Sequence, residues 1–208
     1  NRFIMSKNIN KRTSIVERNT NETKITVKIN LDGQGKGNIK TGLPFFDHMI
    51  EQLSKHSLID IGLKCDGDLH IDSHHTVEDI GWALGNAVNK ALGNKKGIKR
   101  YSFSYLPMDE CLTRCSIDVS GRPWLIWNVF FPTVSIKDIE TEIFKEFFQA
   151  FSQAASLTLH IENLYGTNTH HIIESCFKSL AVAIRGAISI DLLNKENIPF
   201  TIGSLTER

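Results

Sequence analysis

The sequence predicts an α+β fold made by duplication, two half-domains that each lay helices on one face of a small mixed or antiparallel sheet. Three observations predict it. The chain matches itself at a fixed offset, several short stretches alternate apolar and polar residues, and two long segments carry apolar residues at helical spacing.

The offset is read from two histidine pairs. His74-His75 and His170-His171 lie 96 positions apart (170 − 74). The match continues without gaps through the flanks: Leu63 with Leu159, Ser73 with Thr169, Val77 with Ile173, Glu78 with Glu174, Leu84 with Leu180, and Ala87 with Ala183. Two copies are too few for a solenoid but fit a duplicated half-domain. Residues 13–95 then form the first half and 96–208 the second, together one compact domain. Residues 1–12, basic and without an acid, are expected to be a disordered tail outside the fold.

The elements follow in order. Ile25, Val27, Ile29 and Leu31 alternate with polar residues, the pattern of a half-buried strand. Pro44 to Lys55 reads as a helix with Met49, Ile50 and Leu53 on one stripe, and strands are expected around Leu58–Leu63 and Asp68–Asp72. A long helix should run from His74 to Leu92, its apolar face made of Val77, Ile80, Leu84, Ala87, Val88 and Ala91. In the second half Cys115, Ile117 and Val119 alternate, and Trp124–Phe131 reads as a more fully apolar strand after the Gly121-Arg122-Pro123 turn. A helix is expected over Glu140–Ala154, then a strand through Leu157, Leu159 and Ile161. The closing helix carries Ile173, Cys176, Leu180, Ala183, Ile184 and Ala187 on one stripe. The order β-β-α-β-(β)-α, twice over, is α+β rather than a run of βαβ crossovers.

A formal net charge of +1 over 208 residues argues against a protein built to grip a nucleic-acid backbone. It leaves room for a local basic pocket for a small phosphorylated ligand. The four cysteines, Cys65, Cys111, Cys115 and Cys176, form no Cys-x-x-Cys and no regular framework, as expected of reduced thiols in a cytoplasmic protein. No apolar run is long enough to cross a bilayer.

The histidine pairs carry the chemistry. Ser73 and Thr169 stand where the two long helices begin and are good N-caps, which puts the histidines in the first turn. Residues four apart share a helix face, so His74 stacks with Glu78 and His170 with Glu174. Adjacent histidines diverge by about 100° around the axis. One pair can therefore serve two metals, or one metal and its neighbour across an interface. A helix N-terminus disfavours a cationic imidazole, and neutral imidazole is the form that binds metal. A single histidine beside a glutamate is commonly a solvated hydrogen bond, but the same arrangement at two equivalent positions points to metal. Imidazole with carboxylate suits Zn, Mn, Fe or Ni, and the spacing is not the His-Glu-x-x-His of zinc proteases. His48 and His160 are the candidates to complete the ligand sets, while His56 and His70 read as structural.

With these residues in view, the sequence resembles the imidazoleglycerol-phosphate dehydratases of histidine biosynthesis over nearly the whole chain, from about Arg12 to Leu205. The resemblance is carried by Leu31-Asp32-Gly33-Gln34-Gly35, Thr41-Gly42-Leu43-Pro44-Phe45-Phe46-Asp47-His48-Met49 and Asp72-Ser73-His74-His75-Thr76-Val77-Glu78-Asp79. Asp118-Val119-Ser120-Gly121-Arg122-Pro123, Thr158-Leu159-His160-Ile161 and Asn168-Thr169-His170-His171-Ile172-Ile173-Glu174 complete it.

The resemblance implies a hydro-lyase that removes water from D-erythro-imidazoleglycerol phosphate to give imidazole acetol phosphate. It implies a homo-oligomer, a 24-subunit shell, with two Mn²⁺ per subunit (Zn or Fe also suit the ligands) completed between neighbours. One metal would take His74, Glu78, His171 and His160, the other His170, Glu174, His75 and His48. The C–H bond to be broken is not next to a carbonyl, so the substrate's imidazole, held by both metals as imidazolate, would act as the electron sink. Glu22 falls on the family's acid/base position, with Asp109 in a supporting catalytic role. Gln52, Arg100, Arg122 and Lys178 fall on positions for phosphate and substrate binding. The implied location is the cytoplasm, or the plastid in a plant or alga.

One departure stands out. The family usually closes with a Pro-Ser-Ser/Thr-Lys-Gly type segment whose Ser and Lys contact the phosphate; here Phe200 and Ile202 replace them. Losing a charged hydrogen bond costs about 1.5–3 kcal/mol. Two other readings stay open at this point: a diverged or inactive paralogue whose metal sites mainly hold an oligomer together, and a metallohydrolase on the same ligands.

Overall fold

The structure, a computed structural model, describes residues 11–201. The first half runs β1 (Thr13–Asn19), β2 (Thr23–Asn30), β3 (Gly37–Lys40), α1 (Pro44–Ser57), β4 (Asp60–Gly67) and α2 (His74–Leu92). The second runs β5 (Tyr101–Met108), β6 (Cys111–Asp118), β7 (Trp124–Asn128), a small hairpin β8 (Ser135–Ile136) and β9 (Ile139–Glu140), α3 (Ile143–Ala155), β10 (Thr158–Tyr165) and α4 (Thr169–Ala187). The sheets have the orders β1-β2-β4-β3 and β5-β6-β10-β7, each antiparallel except for a parallel last pair. Strand for strand the two halves have one topology, so the duplication read from the histidines extends to the sheets.

Several sequence expectations need correction. Asp68–Asp72 is a turn, closed by the Ile71 N–H donating to the Asp68 carbonyl at 2.8 Å, and Ile71 is exposed. Its Leu-x-Ile alternation imitates a strand, but the flanking aspartates serve the turn and the helix behind it. Trp124–Phe131 shortens to β7, and Trp124 and Ile126 lie open because they face the uncovered side of the sheet, where Ile126 pairs with the exposed His160. Strands β1, β3 and β5 go beyond the sequence reading; only Val16 is buried in β1, which leaves no alternation to detect. Arg12, placed in the tail by composition, is tied down: it pairs with Asp32 at 2.5 Å and donates to the Ile188 carbonyl at 2.6 Å. Residues 1–10 lie outside the described residues.

The apolar faces expected of α2 and α4 are all buried. The halves interlock through their helices, α1 packing on α4 and α2 on α3. Phe46 of α1, Phe147 and Phe148 of α3 and Phe177 of α4 meet with ring centroids 4.8–5.5 Å apart along the chain of contacts. Burying each such ring contributes roughly 1.5–3 kcal/mol. α2 approaches α3 closely because Gly81 and Gly85 face it; a Cβ on either would lie 2.5 Å from the Phe147 or Phe151 carbonyl oxygen. This crossing brings the start of α4 beside α1, and the start of α2 beside α3. Among the described residues no helix is long and apolar enough to cross a membrane.

Candidate metal centre

Both histidine pairs occupy the first turn of their helices, but the caps differ from the expected Ser73 and Thr169. The Asp72 carboxylate accepts the His74 N–H at 2.8 Å, and the Asn168 side chain accepts the N–H groups of His170 and His171 at 2.9 and 3.3 Å. Ser73 makes no side-chain cap bond, and Thr169 is already the first residue of α4. The capping residue therefore repeats one position earlier, at Asp72 and Asn168.

The second pair lies in an assembled cluster. His170 Nε2 is 2.8 Å and His48 Nε2 3.4 Å from the same oxygen, Oε2 of Glu174. These are the only three groups among the described residues whose donor atoms lie within 4.8 Å of one another. Glu174 is buried at 6% side-chain exposure, and its other oxygen takes Lys178 Nζ at 2.5 Å. Burial pushes its carboxyl up, but the hydrogen bonds from Lys178 and His170 and the nearby Lys178 and His48 charges outweigh that, and the net shift is downward. Gln52, expected to bind substrate, places its amide Nε2 3.5 Å from His48 Nδ1, on the side of the ring away from the cluster. Two imidazoles and a carboxylate converging on one point suit a divalent ion of the Mn, Fe or Zn kind.

The first pair is more open. His74 Nε2 stands 3.4 Å from Glu78 Oε2, with both side chains nearly half exposed. The second histidine of each pair turns elsewhere. His75 Nδ1 is 3.0 Å from Asp68 Oδ2 and 3.9 Å from Glu22 Oε2. The Asp68 bond raises the His75 imidazole above its ordinary range. His171 Nδ1 is 2.8 Å from Glu110 Oε2, and its Nε2 is 3.8 Å from Asp109 Oδ2. Bonds from His171 and from the Asn168 and Thr167 N–H groups pull Glu110 down to about 2. Among the described residues His160 joins neither histidine pair. It is exposed on the outer face of β10, in a hollow of about 400 Å³ with Phe103, Tyr105, Arg114 and Ile126.

The cations expected at the phosphate separate into two kinds. Arg122 is 57% exposed and, among the described residues, its guanidinium has only a distant carboxylate neighbour, Asp118 Oδ2 at 3.8 Å. Arg100 is committed: its guanidinium donates to both Asp118 oxygens at 2.7 and 3.2 Å and to the Pro199 carbonyl at 3.0 Å. The Tyr101 and Phe200 rings stack on it with centroids at 4.6 and 3.8 Å. Arg12 does the equivalent work just before β1, as Arg100 does just before β5. Lys178 is held by Glu174. Ile202 lies outside the described residues.

Sequence reasoning missed Glu146, Asp68, Glu110 and Asp118, which the fold brings beside the candidate residues. Glu146 was findable. His48 precedes the left-handed C-cap Leu58 of α1 by the same interval as Glu146 precedes the left-handed C-cap Ser156 of α3. Glu146 is thus the counterpart of His48, and it lines a cleft of about 550 Å³ together with His74, Glu142 and Lys145. Matching the helices would have exposed it; matching the histidines alone stops short, because the loop before α4 is shorter than the loop before α2.

The family model for imidazoleglycerol-phosphate dehydratase matches residues 41–184, which include the His48 helix and both histidine pairs. The chain belongs to the imidazoleglycerol-phosphate dehydratase family. The imidazoleglycerol-phosphate dehydratase of Sinorhizobium fredii (strain NBRC 101917 / NGR234) is 53% identical over 194 residues, covering 93% of this chain and 96% of that protein. The crystal structure of the Staphylococcus aureus N315 imidazoleglycerol-phosphate dehydratase superposes with a TM-score of 0.79 at 34% identity, covering 86% of this chain and 99% of that one. The Pyrococcus furiosus structure gives 0.78 at 32% identity over 91% and 99%. Membership in the dehydratase family makes the chain a carbon–oxygen hydro-lyase of histidine biosynthesis, on the duplicated α+β fold that the sequence predicts.

Proposed function

We propose that the chain converts D-erythro-imidazoleglycerol phosphate to imidazole acetol phosphate and water, using two divalent ions, Mn²⁺ by preference, in a cytoplasmic homo-oligomer. The observation that carries this reading is the convergence of His48 and His170 on one oxygen of Glu174 while Lys178 holds the other. His170, Glu174 and His48 would hold one ion; His74 and Glu78, with Glu146 as the counterpart of His48, would hold the other. His75 and His171 point away from their own glutamates, so their partners come from neighbouring chains, and the 24-subunit shell supplies them. His160 would reach a metal only from a neighbour in such a shell. When bound, the ions supply Lewis acidity and a template for the substrate's imidazole ring.

The remaining work falls to this chain's side chains. Glu22 stands beside His75 on an exposed turn and moves the proton at its Oε2; Asp109, with Oδ2 3.8 Å from His171 Nε2, supports it from the other half. Arg122 is the cation open to the phosphate. Arg100 positions Asp118 and the Pro199 segment and contacts the phosphate only if Phe200 moves. The test is imidazole acetol phosphate formation by Mn²⁺-reconstituted protein. Glu22→Gln should lower turnover by about 10²-fold or more with metal content unchanged, and near-full turnover would refute the assignment. The stack of Phe200 on Arg100 favours a second reading, a diverged paralogue whose metals hold the oligomer; it predicts metal uptake and assembly without product.

A further inference from the structure

The two rings of each histidine pair are used differently. The first ring aims Nε2 at the glutamate one turn along its own helix, His74 at Glu78 and His170 at Glu174. The second ring is gripped by its other nitrogen, His75 Nδ1 by Asp68 at 3.0 Å and His171 Nδ1 by Glu110 at 2.8 Å. An ionised carboxylate only accepts, so the ring proton sits on Nδ1 and the lone pair on Nε2. We infer that Asp68 and Glu110 are positioning residues that fix this tautomer and present Nε2 of His75 and His171 as ligands to metals other than the ones their own helices hold. The inference rests on the two-metal reading above.

The same bond is built twice from places that do not correspond. Glu110 immediately precedes β6, as Glu22 immediately precedes β2. Asp68 immediately follows β4, as Gly166 immediately follows β10. In the second half no acid fits after the strand, since a Cβ on Gly166 would lie 2.9 Å from Ile172 and 3.0 Å from Cys111. Glu110 takes the bond instead, with Oε1 locked by the N–H groups of Thr167 and Asn168 at 3.1 and 2.8 Å. In the first half Asp68, 9% exposed, takes the bond, and Glu22 is left 3.9 Å from the same nitrogen. Asp68 thereby frees Glu22 for proton transfer, while its counterpart Glu110 is spent on holding a ring. That is why one of two corresponding glutamates is the acid/base.

Glu110→Gln separates this role from a merely structural one. The amide oxygen keeps accepting from Thr167 and Asn168, which leaves the NH₂ facing Nδ1 of His171. An NH₂ group only donates, so the ring proton must move to Nε2. Magic-angle-spinning ¹⁵N NMR of metal-free protein with labelled histidine reads the tautomer, with His75→Gln and His171→Gln assigning the signals. The expected result is a protonated Nδ1 for both rings in the wild type, a protonated Nε2 for His171 in Glu110→Gln, and Mn²⁺ affinity weakened about 10- to 100-fold in that variant. Asp68→Ala should weaken Mn²⁺ binding similarly, through His75. A wild-type proton on Nε2 overturns the inference, as does a Glu110→Gln protein that binds Mn²⁺ like the wild type. Wild-type protein that takes up no Mn²⁺ would overturn the two-metal reading, and this inference with it.

Discussion

The two histidine-bearing helix starts share one pattern and differ in what encloses them. At α4, Glu174 is 6% exposed, flanked by His48 and His170 and braced by Lys178. At α2, Glu78 is 49% exposed and among the described residues pairs only with His74, with Glu146 across a cleft where the other half has His48. The difference teaches that duplication copies candidate ligands more faithfully than surroundings: three of them converge within the chain at α4, while their counterparts at α2 stay apart and open.

Equivalent mutations should therefore have unequal effects. Glu174→Gln should cost the metal-free protein about 1–3 kcal/mol, because it strips a buried carboxylate from Lys178 and two histidines. Glu78→Gln should stay within about 0.5 kcal/mol. Chemical denaturation of metal-free protein measures both, and equal losses would erase the comparison.

A second contrast concerns the arginines. Arg100→Gln should behave as a stability mutation, lowering the unfolding midpoint as Arg12→Gln does, since both guanidiniums are tied to a carboxylate and a carbonyl. Arg122→Gln should leave the midpoint alone and raise KM roughly ten- to hundredfold through loss of one charged hydrogen bond. A KM effect confined to Arg100 would reverse the two roles.

The smallest effect expected is in acid. A carboxyl held below its ordinary value adds stability that is complete above that value and drains as pH falls toward the lowered one. For Glu110 the window runs from 4.5 down to about 2, and Glu174 loses its contribution in the same direction below 4.5. Metal-free wild type should lose stability across that window relative to Glu110→Gln. Parallel acid profiles would contradict it.

Much of this architecture is legible in the residues. The buried stripes of α2 and α4 announce themselves because a helix packed on one side repeats its apolar positions without exception. The ligand candidates His74, Glu78, His170, Glu174 and His48 were visible for the same local reason. What stayed hidden depends on tertiary placement. Asp68 and Glu110 come to their histidines from a strand end and a hairpin turn, and no periodicity marks such a meeting. Glu110 is aimed by Asp109, which adopts φ +49 to close the turn. Phe200 looked like a lost phosphate contact, and only the fold shows it lying on Arg100.

The central claim is that each metal takes histidines from both pairs and that no chain completes a site alone. Crystals of Mn²⁺-loaded protein, with data collected at the manganese edge, test it most directly. The account predicts two anomalous peaks per chain, one against His48, His170 and Glu174 and one against His74 and Glu78, each also touching a second histidine from a neighbouring chain. A single peak per chain, or two peaks whose ligands all come from one chain, would contradict it.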